Sequence, residues 1–108
     1  MMNCPKCRVE MLGLALLGVE IEVCPLCNGS WLDKNELTQI TRSRGKNAVA
    51  VKIISKRPTQ FRCPRCRVPL EEGSHVDDPG FLIDECSQCG GIWLDRGELT
   101  RLISRGDA

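Results

Sequence analysis

The eight cysteines of this chain occur as four CxxC pairs, and this arrangement constrains the fold more than any other feature. The stretch CPLCNGSWLDKNEL at residues 24–37 recurs at residues 86–99 as CSQCGGIWLDRGEL, with eight of fourteen positions identical. Another CxxC pair precedes each copy, separated from it by 16 residues in the first case and by 19 in the second. The chain therefore contains two similar units in tandem, each with two CxxC pairs.

The spacing of the cysteines predicts one metal site in each unit. Units of roughly 40 residues bury too little apolar surface to be stable by that means alone, so each needs a further source of stability. A disulfide framework has no reason to repeat CxxC four times, whereas two CxxC pairs at this separation are typical of tetrahedral metal sites. The predicted ligands are Cys4, Cys7, Cys24 and Cys27 in the first site, and Cys63, Cys66, Cys86 and Cys89 in the second.

Two kinds of ion suit such sites. A closed set of four thiolates is typical of structural zinc, because catalytic zinc keeps an open position and commonly uses histidine. Iron in a rubredoxin-like site is the chemical alternative, and it would make the protein an electron carrier. Both ions need reduced thiols, which are typical of the cytoplasm.

Targeting signals are absent from the sequence pattern. No apolar run approaches the roughly 20 residues that span a bilayer. The opening MMNCPKC has neither the charged nor the apolar segment of a signal peptide. We therefore expect a cytoplasmic protein without a membrane partner.

The stretch between the two CxxC pairs of each unit predicts a β-hairpin. In the first unit, residues 9–17 and Val19–Val23 are expected to pair and to turn near Gly18, because apolar and acidic residues alternate after this glycine. In the second unit the three extra residues are assigned to a longer loop at residues 71–80, in which His75 is expected to be exposed.

A short helix is predicted after each hairpin. Asp33 is a favourable N-cap, and Glu36, three residues later, completes a capping box. Asp95 and Glu98 repeat this arrangement in the second unit. The expected fold class is thus a small metal-stabilised α+β protein: two tandem zinc ribbons, each a β-hairpin between two CxxC knuckles plus a short C-terminal helix.

The segment between the units is strongly basic. Residues 42–67 contain nine basic residues and no acidic one, although the net charge of the whole chain is only +1. We assign residues 1–44 to the first ribbon with its helix, 45–60 to a basic linker, and 61–108 to the second ribbon with its helix. The alternation of Val49, Val51 and Ile53 allows part of this linker to pair as a strand.

The combination of CPxC, a hairpin, CxxC, a glycine and WLDxxEL resembles the zinc-ribbon family named for the zinc-binding domain of transcription factor IIB. The resemblance covers residues 4–40 and 63–102. It implies one zinc ion per unit, held by the four cysteines of that unit, and a small ribbon that recognises nucleic acid or protein. Asn28 in place of glycine and Ser87 in place of proline depart from the pattern without removing a ligand.

The sequence favours a non-enzymatic binding module with no small-molecule substrate. The Asp33/Glu36 and Asp95/Glu98 pairs are explained by helix capping, and no nucleophile accompanies them. Nucleic acid is one predicted partner, bound through phosphates in a transcription-related role. A protein partner that contacts the apolar residues 13–17 is the alternative. The candidate nucleic-acid contacts are Arg42, Arg44, Lys46, Lys52, Lys56, Arg57, Arg62, Arg65 and Arg67.

Overall fold

The structure is a computed structural model that describes residues 2–16, 18–36, 39, 53–76 and 78–105. These residues form one antiparallel sheet of seven strands and a helix. The elements are β1 Leu12–Leu16, β2 Val19–Val23, β3 Ser30–Leu32, β4 Ile53–Arg62, β5 Pro69–His75, β6 Asp78–Glu85, β7 Ile92–Leu94 and α1 Glu98–Arg105. Within the described residues, no helix is both long enough and apolar enough to cross a bilayer.

The hairpin predicted in the first unit is present as β1 and β2. Leu14 lies opposite Ile21, and Leu16 lies opposite Val19. The turn contains Gly18 at φ 80°, a left-handed conformation that glycine adopts without steric cost. Ile21 is fully buried while Glu20 is exposed, as the alternation of apolar and acidic residues predicts.

The second hairpin is longer than predicted, because most of the expected loop at residues 71–80 is strand. β5 extends to His75, and β6 already begins at Asp78. The prediction of an exposed His75 was wrong: this residue is 3% exposed, and its ring stacks on Phe81 with 5.8 Å between the ring centroids. The extra residues therefore lengthen the hairpin and bring the histidine into the core.

The predicted linker contributes a strand on the outer side of this hairpin. β4 begins at Ile53 and pairs antiparallel with β5, so residues 53–60 of the predicted linker are strand. Val49 and Val51 lie outside the described residues. The domain boundaries at residues 44 and 61 remain a prediction.

The two units are joined through the middle of the sheet. The strand order is β1-β2-β3-β7-β6-β5-β4, so β3 of the first unit pairs with β7 of the second. In this pairing Trp31 lies opposite Trp93. In each unit the hairpin lies toward the outside of the sheet, and the short strand that contains Trp-Leu, β3 or β7, lies at its centre. An approximate two-fold axis between β3 and β7 therefore relates the two ribbons.

Alternation along the strands divides the core into two clusters, one on each face of the sheet. Leu32 and Leu94 belong to an aliphatic cluster that Leu99 of α1 partly covers. Trp31 and Trp93 point to the other face and pack among the cysteines. One half of each predicted capping box is present, since the backbone N–H groups of Asp33 and Asp95 donate to Glu36 Oε1 at 2.9 Å and to Glu98 Oε1 at 2.7 Å. In the second unit the N–H of Glu98 donates to the backbone carbonyl of Asp95, and the helix begins at Glu98. In the first unit, residues 34–36 are helical, and the rest of its predicted helix lies mostly outside the described residues.

Candidate metal centres and the groove between the knuckles

The eight cysteines gather into two clusters of four. In each cluster the four sulfur atoms all lie within 4.8 Å of one another. Cys4 Sγ and Cys27 Sγ are 3.8 Å apart, and Cys63 Sγ and Cys89 Sγ are also 3.8 Å apart. A tetrahedron with Zn–S bonds of about 2.3 Å has edges of about 3.8 Å. The geometry is therefore compatible with one tetrahedral ion in each cluster.

Each knuckle is shaped by hydrogen bonds to its first cysteine. The backbone N–H groups of Lys6 and Cys7 donate to Cys4 Sγ at 3.4 and 3.2 Å. The chain then reverses through a residue with positive φ. These residues are Arg8 (63°), Asn28 (60°), Arg67 (63°) and Gly90 (76°). Glycine and asparagine adopt this conformation readily, whereas arginine rarely does.

Hydrogen bonds of this kind favour the thiolate form of the first cysteine in the second knuckle of each unit. Burial alone would raise the pKa of Cys24, but the N–H groups of Cys27 and Leu26 donate to its sulfur and lower the pKa to about 7. The pKa of Cys86 is lowered for the corresponding reason, with N–H donors from Cys89 and Gln88 opposing burial. In contrast, burial raises the pKa of Cys4. A cation at the centre of the cluster would favour the thiolate form of all four sulfurs.

These clusters fit a structural ion better than a catalytic one. Four thiolates complete a tetrahedron and leave no position for water or substrate. Among the described residues, the groups of three or more candidate ligands that come together are the two tetracysteine clusters alone. His75 packs on Phe81 instead of joining either cluster.

Each ribbon closes over the other through a tryptophan and a glycine. A Cβ atom added to Gly91 would lie 2.4 Å from Cζ2 of Trp31, and one added to Gly29 would lie 2.2 Å from Cζ2 of Trp93. Both indole rings are almost fully buried. Only glycine leaves room for the tryptophan of the opposite ribbon, so the repeated Gly-x-Trp spacing serves the junction between the units.

Two ion pairs cross the same junction. Lys6 Nζ lies 2.9 Å from Asp95 Oδ1, and Arg65 Nη2 lies 2.9 Å from Asp33 Oδ2. Each carboxylate also accepts a hydrogen bond from the indole N–H of its own ribbon, Trp93 or Trp31. The aspartates predicted as helix caps thus also hold the first knuckle of the opposite ribbon.

A groove lies between the N-terminal knuckles of the two ribbons. Its volume is about 680 Å³. The lining residues are Asn3, Cys4, Pro5, Lys6, Arg8, Gln60, Phe61, Arg62, Cys63, Pro64 and Arg67, and no acidic residue is among them. Lys6 is held by Asp95 and lies 5.1 Å above the ring of Phe61. The charges that face the groove without a described acidic partner are those of Arg8, Arg62 and Arg67.

The structure divides the nine predicted nucleic-acid contacts into several groups. Arg62 and Arg67 line the groove, whereas Arg65 pairs with Asp33. Lys56 Nζ lies 2.7 Å from Glu85 Oε1, and Arg57 is exposed on β4 outside the groove. The remaining predicted contacts lie outside the described residues: Arg42, Arg44, Lys46 and Lys52. Sequence reasoning missed Arg8, although its counterpart Arg67 sits at the same place after the other knuckle.

Comparison with known families identifies the fold. The family model described as transcription factor zinc-finger (Zn_ribbon_TFIIB) matches residues 3–43 and 62–105. The protein belongs to this family. Both matched segments contain four cysteines, so the chain carries two transcription factor zinc-finger ribbons with two tetracysteine sites compatible with two zinc ions. Comparison with curated proteins and with solved structures found no match.

Glu98, in the capping box of the second zinc-finger ribbon, is a weaker acid than an ordinary glutamate. Burial raises the pKa of Glu98 from 4.5 to about 7, and the nearby carboxylates of Asp95 and Asp84 add to this effect, although the N–H of Asp95 opposes it. The ionised form is thus disfavoured in the folded state. The neutral carboxyl group of Glu98 therefore contributes stability at pH values below its pKa in the unfolded chain. This contribution is lost as the pH rises through about 7.

Glu98→Gln is expected to stabilise the protein at pH 8 but not at pH 5. Glutamine keeps an oxygen for the N–H of Asp95 and carries no charge to desolvate. Because Glu98 is only partly buried, solvent screening limits the gain to about 1 kcal/mol, or about 4 °C in Tm. Thermal unfolding of both proteins at the two pH values measures it. An equal shift at pH 5 and pH 8 would contradict the assigned cause.

Proposed function

We propose that the protein is a zinc-stabilised, non-catalytic module that binds single-stranded nucleic acid in the groove between its two N-terminal knuckles. The observation that supports this function is the arrangement of Arg8, Arg62 and Arg67 around one groove that has no acidic lining residue. The sequence placed the basic charge at residues 42–67, whereas the groove combines Arg62 and Arg67 of this segment with Arg8 of the first ribbon.

We propose zinc as the ion of both sites, bound by Cys4, Cys7, Cys24 and Cys27 and by Cys63, Cys66, Cys86 and Cys89. The closed tetrahedral sulfur sets support this choice, because they suit an ion whose role is structural. The ions would supply folding free energy and fix the knuckles. The recognition surface would be provided by side chains next to the ligands.

The chemistry of the groove favours a phosphate backbone. Arg8 and Arg67 both follow directly after a knuckle, with the same φ of 63°, so the two guanidinium groups are presented by equivalent turns of the two ribbons. Arg62 Nη1 donates to the carbonyl of Arg67 at 2.9 Å, which fixes this side chain along the groove. Guanidinium groups bind phosphates through paired N–H donors. Phe61 adds an aromatic surface of the kind that unpaired bases contact.

The test is the salt dependence of binding to a single-stranded oligonucleotide. Asparagine tolerates positive φ, so Arg8→Asn with Arg67→Asn removes two charges with little strain. We expect this double variant to lose about tenfold in affinity at low salt, and the slope of log K against log salt to become shallower by about 1.4, which is about 0.7 per lost phosphate contact.

The matched control is Arg57→Gln with Arg96→Gln, which removes the same charge from exposed positions outside the groove. This control is expected to keep nearly the wild-type affinity and slope. The proposal fails if the wild type does not bind at 50 mM salt, or if both double variants behave alike. Salt-independent capture of a protein by the purified chain would favour the adaptor function instead.

A further inference from the structure

Among the residues that the structure describes, the strand β1 is an open edge of the sheet. Its sequence is LGLAL, without a charge or a proline, and β2 is its single neighbour in the described part of the chain. Leu12 is 58% exposed and Leu14 is 52% exposed. Open apolar edges of this kind pair readily with another strand.

The opposite edge of the sheet is protected against such pairing. β4 carries Lys56, Arg57 and Pro58, and its register shifts twice along β5. Charges, proline and bulges are the features by which sheet edges avoid further strands. None of these features occurs in β1, so β1 is open to pairing with another strand, whereas β4 is protected against it.

In the second ribbon, the strand equivalent to β1 is paired with a further strand on its outer side. Leu14 pairs with Ile21 in the first hairpin, and Gly73 pairs with Ile83 at the equivalent place in the second. β5, the counterpart of β1, is covered on its outer side by β4. A Cβ added to Gly73 would lie 2.4 Å from Ile53 of β4, which shows how closely that strand packs there. The corresponding place beside β1 has no strand among the described residues.

A depression with an apolar side adjoins this open edge. Its volume is about 370 Å³, and its apolar side is formed by Leu14, Leu16, Ile21, Val23 and Leu99. The rest of its lining is Asn28, Ser30, Asp95, Gly97 and Thr100. Leucines 12, 14 and 16 alternate along β1 and therefore point to the same face of the sheet, where Leu14 and Leu16 line this depression. A strand that brings apolar side chains at every second position would extend the aliphatic core over it.

We propose that a second copy of this chain occupies this edge, with the two β1 strands antiparallel and Leu14 of each copy on the two-fold axis. The sequence LGLAL is self-complementary in this register, because Leu12 of one copy lies opposite Leu16 of the other. No charged side chain of β1 opposes its own copy. The leucine stripes of the two copies lie on one face and cover the two depressions together, as an isologous contact requires.

The experiment measures the mass of the full zinc-loaded chain in solution by sedimentation at several concentrations. The wild type is expected to reach twice the chain mass of 12.0 kDa as its concentration rises. Leu14→Lys places two like charges together on the axis and is expected to remain a monomer. Leu82→Lys is the matched control, since Leu82 is a 45% exposed strand leucine in the interior of the sheet, and it should still form dimers.

Hydrogen exchange separates strand pairing from a contact of leucine side chains alone. The amides of residues 12–16 are expected to become more protected as the wild-type concentration rises, while those of the protected edge β4 do not change. The proposal is overturned if the wild type stays monomeric at millimolar concentration, if Leu14→Lys dimerises like the wild type while binding the same amount of zinc, or if the dimer forms without new protection in β1.

Discussion

Cys89→Ser is expected to abolish metal binding at the second site and also to weaken it at the first. The lost site removes a large part of the folding free energy of its ribbon, since structural zinc contributes about 10 to 16 kcal/mol in zinc-finger peptides. The first ribbon then loses contacts that the second supplies. Asp95 no longer holds Lys6, and Trp93 no longer covers Gly29.

The measurement is the metal content of the purified variant, followed by competition with a chromophoric chelator. We expect less than one zinc ion per chain to survive a chelator concentration that leaves the wild type with two. Iron in the wild type would be recognised by its visible absorption. Ser87→Ala is the control, because Ser87 is an exposed residue of the same knuckle and not a ligand. One ion retained with wild-type affinity would show that the ribbons fold independently.

Gly91→Ala is expected to destabilise the protein by about 3 kcal/mol or more, although it adds one methyl group. That methyl group would lie 2.4 Å from Cζ2 of Trp31, a ring that is fully buried and whose N–H donates to Asp33. Because the ring is buried and held by this hydrogen bond, we expect the strands β3 and β7 to separate. Denaturant unfolding at constant free zinc measures the loss.

Gly13→Ala is the matched control for this substitution. The added methyl group would there lie 3.1 Å from Oε1 of Glu20, the end of an exposed and flexible side chain. Its cost is expected to stay below about 0.5 kcal/mol. Trp31→Phe removes the part of the ring that Gly91→Ala would strike, so the double variant should lose less stability than the sum of the two single variants. Additive losses would place the cause elsewhere.

The local structure of this protein could be predicted from sequence because its determinants are close in the chain. A CxxC knuckle depends on backbone N–H groups within three residues of a sulfur, as at Cys4, where the donors are Lys6 and Cys7. The capping boxes span three residues as well. The first hairpin followed from alternation and one glycine. Such features form in the same way whatever surrounds them.

The failures of prediction concern contacts between distant residues. His75 looked like a loop residue because acidic residues flank it, but β4 and β6 enclose its strand on both sides. Each tryptophan packs against a glycine of the other ribbon. The spacing within one repeat contains no information on which repeat its tryptophan will meet.

The sequence by itself determined the two tetracysteine sets, the knuckles, the first hairpin and the helix caps, because each of these arises from short-range geometry around a sulfur or a helix end. Only the tertiary structure decided that the two ribbons share one sheet. It also decided that Arg8 joins Arg62 and Arg67 around one groove, and that β1 and β4 form the two edges of the sheet in the part of the chain that the structure describes. These outcomes depend on how apolar faces and unpaired strand edges of the two ribbons satisfy one another, which no single repeat specifies.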